Sequence, residues 1–272
     1  MSLFVSGCVV SSNARGTGNK DDQRMISSTV LTQDNKEIHY DLYAQGHKRV
    51  IILAHGFYNS KKAVLFKEMA EMLSDEYDVI VFDFRGHGKS KGLFTWTVKE
   101  YQDLQAILDY AHTKYEKIGV IGFSLGAASS IIAASRTDRI DSLIAVSPPS
   151  DFNKIDYQVW RMGVMENVVY NVFQEGRIGK GVKPGWPWLR KIKPIDVIDQ
   201  IGIPVLFVHG KKDWLIQPWH SQRLFEKAKG TKSIELLEEG THAEYIFRRN
   251  KEETVSIFKE WFRRSLNGGV KN

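Results

Sequence analysis

The 272-residue sequence predicts an α/β fold: a doubly wound, mostly parallel sheet of about eight strands with a small helical cap inserted after the sixth. Three observations lead there. From residue 49 onward, short β-branched apolar runs alternate with longer stretches of helical periodicity. Those short runs are apolar throughout, as strands buried on both faces of a parallel sheet must be. One long segment, 147–203, breaks the rhythm just after the end of a strand.

Taken in order, residues 28–32 and 37–44 read as paired strands across the turn Gln33-Asp34-Asn35-Lys36, an antiparallel edge. The strand, loop and helix alternation follows: strand 50–54, helix 61–73, strand 79–82, helix 99–115, strand 117–121, helix 127–134 and strand 140–146. After the excursion come strand 204–209, helix 218–229, strand 233–237 and one closing helix, 244–266. No internal repeat appears. The expected organisation is a flexible segment 1–25, a core made of 26–148 and 194–272, and the cap 149–193.

Composition excludes several classes. A hydrophobic fraction of 42% is ordinary for a globular domain, and no apolar run reaches the roughly 18 residues of a membrane span. The net charge of +6 comes from Lys and Arg scattered among Asp and Glu, the pattern of a solvated surface and not of a nucleic-acid site. A single cysteine, Cys8, rules out an intrachain disulfide, and no Cys/His cluster has zinc-ligand spacing, so neither metal nor cofactor is expected. Val5-Ser6-Gly7-Cys8 resembles a bacterial lipoprotein cleavage box, and 11–23 is polar and linker-like. Only seven residues precede Cys8, none of them basic. The expectation is therefore a cytoplasmic protein, with a lipid anchor at Cys8 as the alternative if a longer signal precedes it.

The most informative stretch is Gly122-Phe123-Ser124-Leu125-Gly126, a serine on a sharp turn between the apolar strand Lys117-Ile118-Gly119-Val120-Ile121 and a small-residue helix. Such a turn forces the serine into a strained backbone conformation. Gly122 and Gly126 then remove Cβ atoms that would clash where strand and helix approach. Three further clusters follow predicted strands: His55-Gly56-Phe57, His209-Gly210-Lys211-Lys212-Asp213 and Gly240-Thr241-His242. In a parallel sheet all of these loops reach one rim, the edge where open α/β sheets bind ligands.

With those motifs in this order, the chain resembles the α/β-hydrolase superfamily, of capped serine esterase or lipase type, over about residues 26–266. The resemblance implies Ser124 as nucleophile, Asp213 as acid and His242 as base, with the backbone N–H groups of Phe57 and Leu125 forming the oxyanion hole. Asp151, after the 140–146 strand, is the alternative acid, as in some lipases of the family. His55 belongs to the oxyanion loop as a structural hydrogen-bonder, and His39, His47, His112 and His220 read as surface groups. Phe84-Arg85-Gly86-His87-Gly88-Lys89-Ser90 resembles the family turn after the fourth strand and lacks the spacing of a phosphate loop.

A serine at the elbow points to acyl transfer to water and away from the aspartate-dependent dehalogenases and epoxide hydrolases of the superfamily. The leading expectation is a carboxylesterase acting on a small-molecule ester with an apolar acyl or aromatic group. Alternatives are an aminopeptidase of the prolyl-aminopeptidase kind, an acylglycerol lipase or a thioesterase. Trp160, Met165, Tyr170 and Phe173 of the cap are expected to wall the acyl pocket, while most large apolar side chains of the excursion, a group that includes Met162, Trp186 and Trp188, read as packing it against the sheet.

Overall fold

The computed structural model describes residues 25–155, 182–186 and 188–267. Its framework is one eight-stranded sheet in the order β1-β2-β4-β3-β5-β6-β7-β8. The strands are β1 (Met25–Leu31), β2 (Glu37–Tyr43), β3 (Arg49–Ala54), β4 (Asp78–Phe82), β5 (Lys117–Phe123), β6 (Ser142–Val146), β7 (Val205–Gly210) and β8 (Lys232–Leu237). β2 is antiparallel to both β1 and β4, and every pairing from β4 to β8 is parallel. The expected antiparallel edge and doubly wound sheet are both present.

The central strands are apolar throughout because each feeds two cores. In β3, Val50, Ile52 and Ala54 face one core while Ile51 and Leu53 face the other, the period-two alternation of a pleated strand. The first core is covered by α2 (Glu100–His112), α3 (Leu125–Ala134) and α4 (Trp219–Lys227), which contribute Ile107, Ile131 and Leu224. The second is covered by α1 (Val64–Leu73), α5 (Tyr245–Arg249) and α6 (Lys251–Ser265), through Phe66, Phe247 and Phe262.

The closing helix is two helices. Asn250 sits between α5 and α6 in extended conformation, with its side-chain oxygen accepting from the Glu253 N–H at 3.2 Å. Asparagine competes for backbone donors and favours a cap over a helix interior. The pattern Asn250-x-x-Glu253 is a capping-box signature in the sequence, and it outweighs the continuous apolar periodicity.

Of the predicted cap, the described part comprises a short 3₁₀ turn at Phe152–Lys154 and the segments 182–186 and 188–193. The chain re-enters the core at Ile195, whose N–H donates to the Ser150 carbonyl at 3.1 Å. Lys183 and Gly185 bond to the backbone of Gly86 and Phe94, fastening this return path to the loops after β4. Trp186 and Trp188 are 62% and 75% exposed, so they pack against each other at 5.0 Å rather than into the fold. The proposed pocket residues Trp160, Met165, Tyr170 and Phe173, and Cys8, lie outside the described residues.

The β5-to-α3 turn is the tightest approach at the centre of the sheet. A Cβ on Gly126 would overlap the carbonyl oxygen of Ala54, and one on Gly122 would lie 2.6 Å from the Ala127 Cα. Both neighbours are backbone and have nowhere to move. Gly126→Ala should therefore destabilise the fold by about 2–3 kcal/mol or more, whereas Gly202→Ala, with no atom within 4 Å of its would-be Cβ, should be nearly neutral. Thermal denaturation of the two variants checks this contrast.

Candidate active site

The sheet order reverses between β3 and β5, which leave the sheet toward opposite sides, and the crevice at their carboxyl ends is the topological switch point. Ala54 pairs with Gly122 in this register, so Phe57 and Leu125 each lie three residues beyond a matched pair and emerge on the same rim. Leu125 opens α3, where a helix leaves its first N–H groups without intrahelical partners.

Between them sits Ser124, with φ 51° and ψ −110°. The left-handed backbone is fixed from both sides: the Ser124 N–H donates to Val146 O at 2.8 Å and its carbonyl accepts from Ala128 N–H at 3.0 Å. The Ser124 Oγ then stands 3.1 Å from His242 Nε2, and His242 Nδ1 stands 2.8 Å from Asp213 Oδ2. The three predicted residues, 29 and 118 positions apart in their two contacts, are thus brought into one hydrogen-bonded line.

All three side chains are buried. Burial pushes the His242 imidazole down, but the charge and hydrogen bond of Asp213 outweigh it and leave His242 above its ordinary value. Burial likewise opposes the charge on Asp213, and His242 and His209 overcome it, holding the carboxyl well below the usual carboxylate range. The other oxygen, Oδ1, accepts from the N–H groups of Leu215 and Ile216 at 3.0 and 2.9 Å. Asp213 is therefore an anion with a fixed direction.

Two contacts that the sequence did not reveal hold the His242 loop. Ser147 Oγ accepts from the Ala243 N–H at 3.0 Å, tying the residue after His242 to the end of β6. Glu244, buried, accepts from Asn59 Nδ2 at 2.5 Å and so joins this loop to the one carrying Phe57. The Asp213 and His242 loops are also joined directly, by Lys212 N–H to Gly240 O at 2.9 Å. These partners are 96 and 185 residues apart, and no local pattern in the chain announces them.

Comparison with known proteins agrees with this architecture. The family profile described as alpha/beta hydrolase fold matches residues 49–174. The esterase Pf2001 of Pyrococcus furiosus superposes with a TM-score of 0.74 at 25% identity, over 95% of this chain and 99% of that one. The chain has the α/β-hydrolase fold. Among sequence relatives, the uncharacterized protein YqkD of Bacillus subtilis (strain 168) is 30% identical over 214 residues, 71% of this chain and 64% of that protein. The chain thus spans less than two thirds of that relative's length. Serine hydrolase BPHL of Mus musculus is 21% identical over 259 residues, covering 80% of both chains.

Within this fold, the remaining polar groups of the rim sort themselves by partner. His55 accepts from the Phe84 N–H at 3.1 Å through Nε2, which leaves Nδ1–H to donate to Gly56 O at 2.7 Å, the structural role expected of it. Arg85 is buried against Asp103 and Asp34, so the glycine-rich turn after β4 directs its guanidinium inward to carboxylates. Asp151, the alternative acid, pairs with Lys193 Nζ at 3.0 Å and accepts from Asn153 N–H. Phe57 is 45% exposed, its ring stacked on Trp96 at 5.2 Å. Among the described residues there is no cluster of three or more His, Cys, Asp or Glu side chains able to hold a metal ion, and no helix long and apolar enough to cross a membrane.

His220 corrects an expectation: it is fully buried on α4, not a surface group. The position is the second residue of the helix, where its Nδ1 meets the Ser150 N–H at 3.1 Å and the ring stacks on Trp219 at 3.7 Å. Burial pushes its imidazole down to about 4. The unfolded chain, with an ordinary imidazole near 6.5, therefore binds a proton that the folded chain refuses between those values. The resulting stability is full above pH ~6.5 and drains as pH falls toward ~4, by about 3 kcal/mol at the limit. Urea denaturation from pH 7 to 4.5 should show a shallower loss for His220→Gln than for the wild type, and parallel losses would contradict this assignment.

Proposed function

We propose that the chain is a serine hydrolase that cleaves carboxylic esters with an apolar acyl or aromatic group through an acyl-enzyme intermediate. The observation that carries this reading is the line Ser124 Oγ, His242 Nε2, His242 Nδ1, Asp213 Oδ2, with the serine held on a left-handed turn above the sheet. A serine hydroxyl is a weak nucleophile until a base takes its proton, and the 3.1 Å separation of Ser124 Oγ from His242 Nε2 supports His242 in that role. In the proposed first step Ser124 Oγ bonds to the ester carbonyl carbon as its proton passes to His242 Nε2. The N–H groups of Leu125 and Phe57 receive the oxyanion, and Asp213 stabilises the imidazolium. Collapse expels the alcohol, which leaves with the His242 proton. Water then repeats the attack on the acyl-enzyme, with His242 again as base, and releases the carboxylic acid and free Ser124.

The apolar character of the substrate is inferred from the aromatic and methionine content of the cap. Trp160, Met165, Tyr170 and Phe173 are proposed to wall the acyl site. If so, truncating any of them to Ala should change the order of preference among acyl lengths, because each buried methylene is worth about 0.8 kcal/mol. A panel of esters graded in acyl length, with one aryl ester, one thioester and one aminoacyl arylamide, names the substrate class and tests the pocket together.

Ser124→Ala and His242→Ala should each lower hydrolysis of the best ester by at least about 10³-fold, and the double variant should lose little more, since the two side chains act as one proton-transfer unit. A double loss equal to the product of the single losses would contradict that unit. Asp213→Asn should cost far more than Asp151→Asn, because only Asp213 faces the imidazole.

The pH profile follows from His242. The base must be neutral, and its proton affinity is raised by Asp213, so kcat/KM should fall as pH drops through a midpoint above the ordinary imidazole value of about 6.5. Initial rates from pH 5 to 9 locate the limb, and a midpoint below 6 would count against this electrostatic picture.

A further inference from the structure

His209 is a buried titratable group for which the proposed reaction has no step. It is the penultimate residue of the apolar strand β7, fully buried, four residues before Asp213. Its Nε2 lies 2.7 Å from the Ile216 carbonyl oxygen and 3.2 Å from Asp213 Oδ2. Both of these are acceptors, so the proton must sit on Nε2. The other nitrogen, Nδ1, lies 2.6 Å from Ser221 Oγ on α4, and the buried hydroxyl donates to it. The tautomer is thus set by partners on both sides.

We infer that His209 is a positioning residue of the site: with its tautomer set by Ser221, it donates from Nε2 to the same Asp213 oxygen that faces His242, and so shares that oxygen between two imidazoles. The carboxylate then has two backbone N–H groups on Oδ1 and the His242 N–H on Oδ2, with the His209 Nε2–H, bonded at 2.7 Å to the Ile216 carbonyl, shared onto Oδ2 from 3.2 Å. The sharing has a direction. A donor removed from Oδ2 leaves more of its charge for His242, which then holds its proton more tightly. Asp213 stays in place meanwhile, because Leu215 and Ile216 still grip Oδ1.

Other charges bear on this group and do not change among the variants below. Glu244, on the His242 loop, acts on His242, and His220 on α4 interacts with His209 and Asp213 while itself feeling Asp151 and Arg223. The inference rests on the proposed roles of Asp213 and His242, and its test is made without substrate so that the two can fail separately.

The experiment is an NMR titration of histidine ring signals in the full chain, with His242 assigned by the loss of its signal in His242→Gln. In His209→Leu, which removes the donor, the His242 midpoint should rise by about 0.5–1 pH unit. In His209→Gln, whose amide nitrogen can occupy the Nε2 position, it should remain near the wild-type value. Ser221→Ala, a milder change that keeps the core volume, should raise it by a smaller amount and serves if His209→Leu does not fold. A midpoint that stays put or falls in the Leu and Ala variants, or rises equally in Gln and Leu, overturns the inference. A role in packing alone would lower thermal stability and leave the midpoint where it was. Ester hydrolysis that is absent, or that survives Ser124→Ala, would instead defeat the proposed reaction while leaving the titration result standing.

Discussion

The left-handed backbone of Ser124 is the constraint on which the rest of the site depends. A non-glycine residue at φ 51°, ψ −110° costs about 1–3 kcal/mol and persists only where its surroundings over-determine it. Here the surroundings are the carbonyl of Val146 on one neighbouring strand and the Ala54 backbone on the other, against which Gly126 is pressed too closely for any Cβ. The strain projects Oγ out of the turn, and the same approach that creates it brings the first amide of α3 alongside the loop after β3. The proposed nucleophile and oxyanion donors are therefore products of one piece of packing.

The partners of Ser124 are held by a different device, a set of buried polar ties between loops. Ser147 reaches the His242 loop from the end of β6, Asn59 reaches its Glu244 from the Phe57 loop, and backbone bonds join it to the Asp213 loop. Each tie satisfies a polar group that burial would otherwise leave costly, so the loops lose little by being ordered in one arrangement. Burial also tunes the chemistry. Desolvation taken alone would neutralise both members of the His242–Asp213 pair, and their mutual field and hydrogen bond reverse this, giving a permanently ionised acid beside a base of raised proton affinity.

Reading the chain alone recovered most of this because its strongest signals are local. The strand β5, the Gly-x-Ser-x-Gly turn and the small-residue helix α3 follow one another without interruption, and their physics is short-range sterics. The strands from β3 to β7 show as apolar runs because both faces of each central strand are covered. The break at Asn250 was also written locally, as a capping box, and was masked by a helical periodicity that runs across it. His220 misled for a similar reason: a polar side chain near the start of a helix reads as solvent-facing, and only the packing of α4 against the chain after β6 buries it.

What the sequence by itself determined is the sheet, its winding and the three loops that carry Ser124, Asp213 and His242, since periodicity and turn chemistry are properties of contiguous residues. Only the tertiary structure decided which of two aspartates faces the imidazole. Asp151 and Asp213 both follow apolar strands, but Lys193, returning from the excursion, takes the first, and the turn after β7 aims the second. It also decided that His209 and Ser221 lie behind that carboxylate, and that Ser147, Asn59 and Glu244 lock the loops around it. Those contacts join residues distant in the chain, and their distances follow from strand register and helix packing, which no stretch of neighbouring residues encodes.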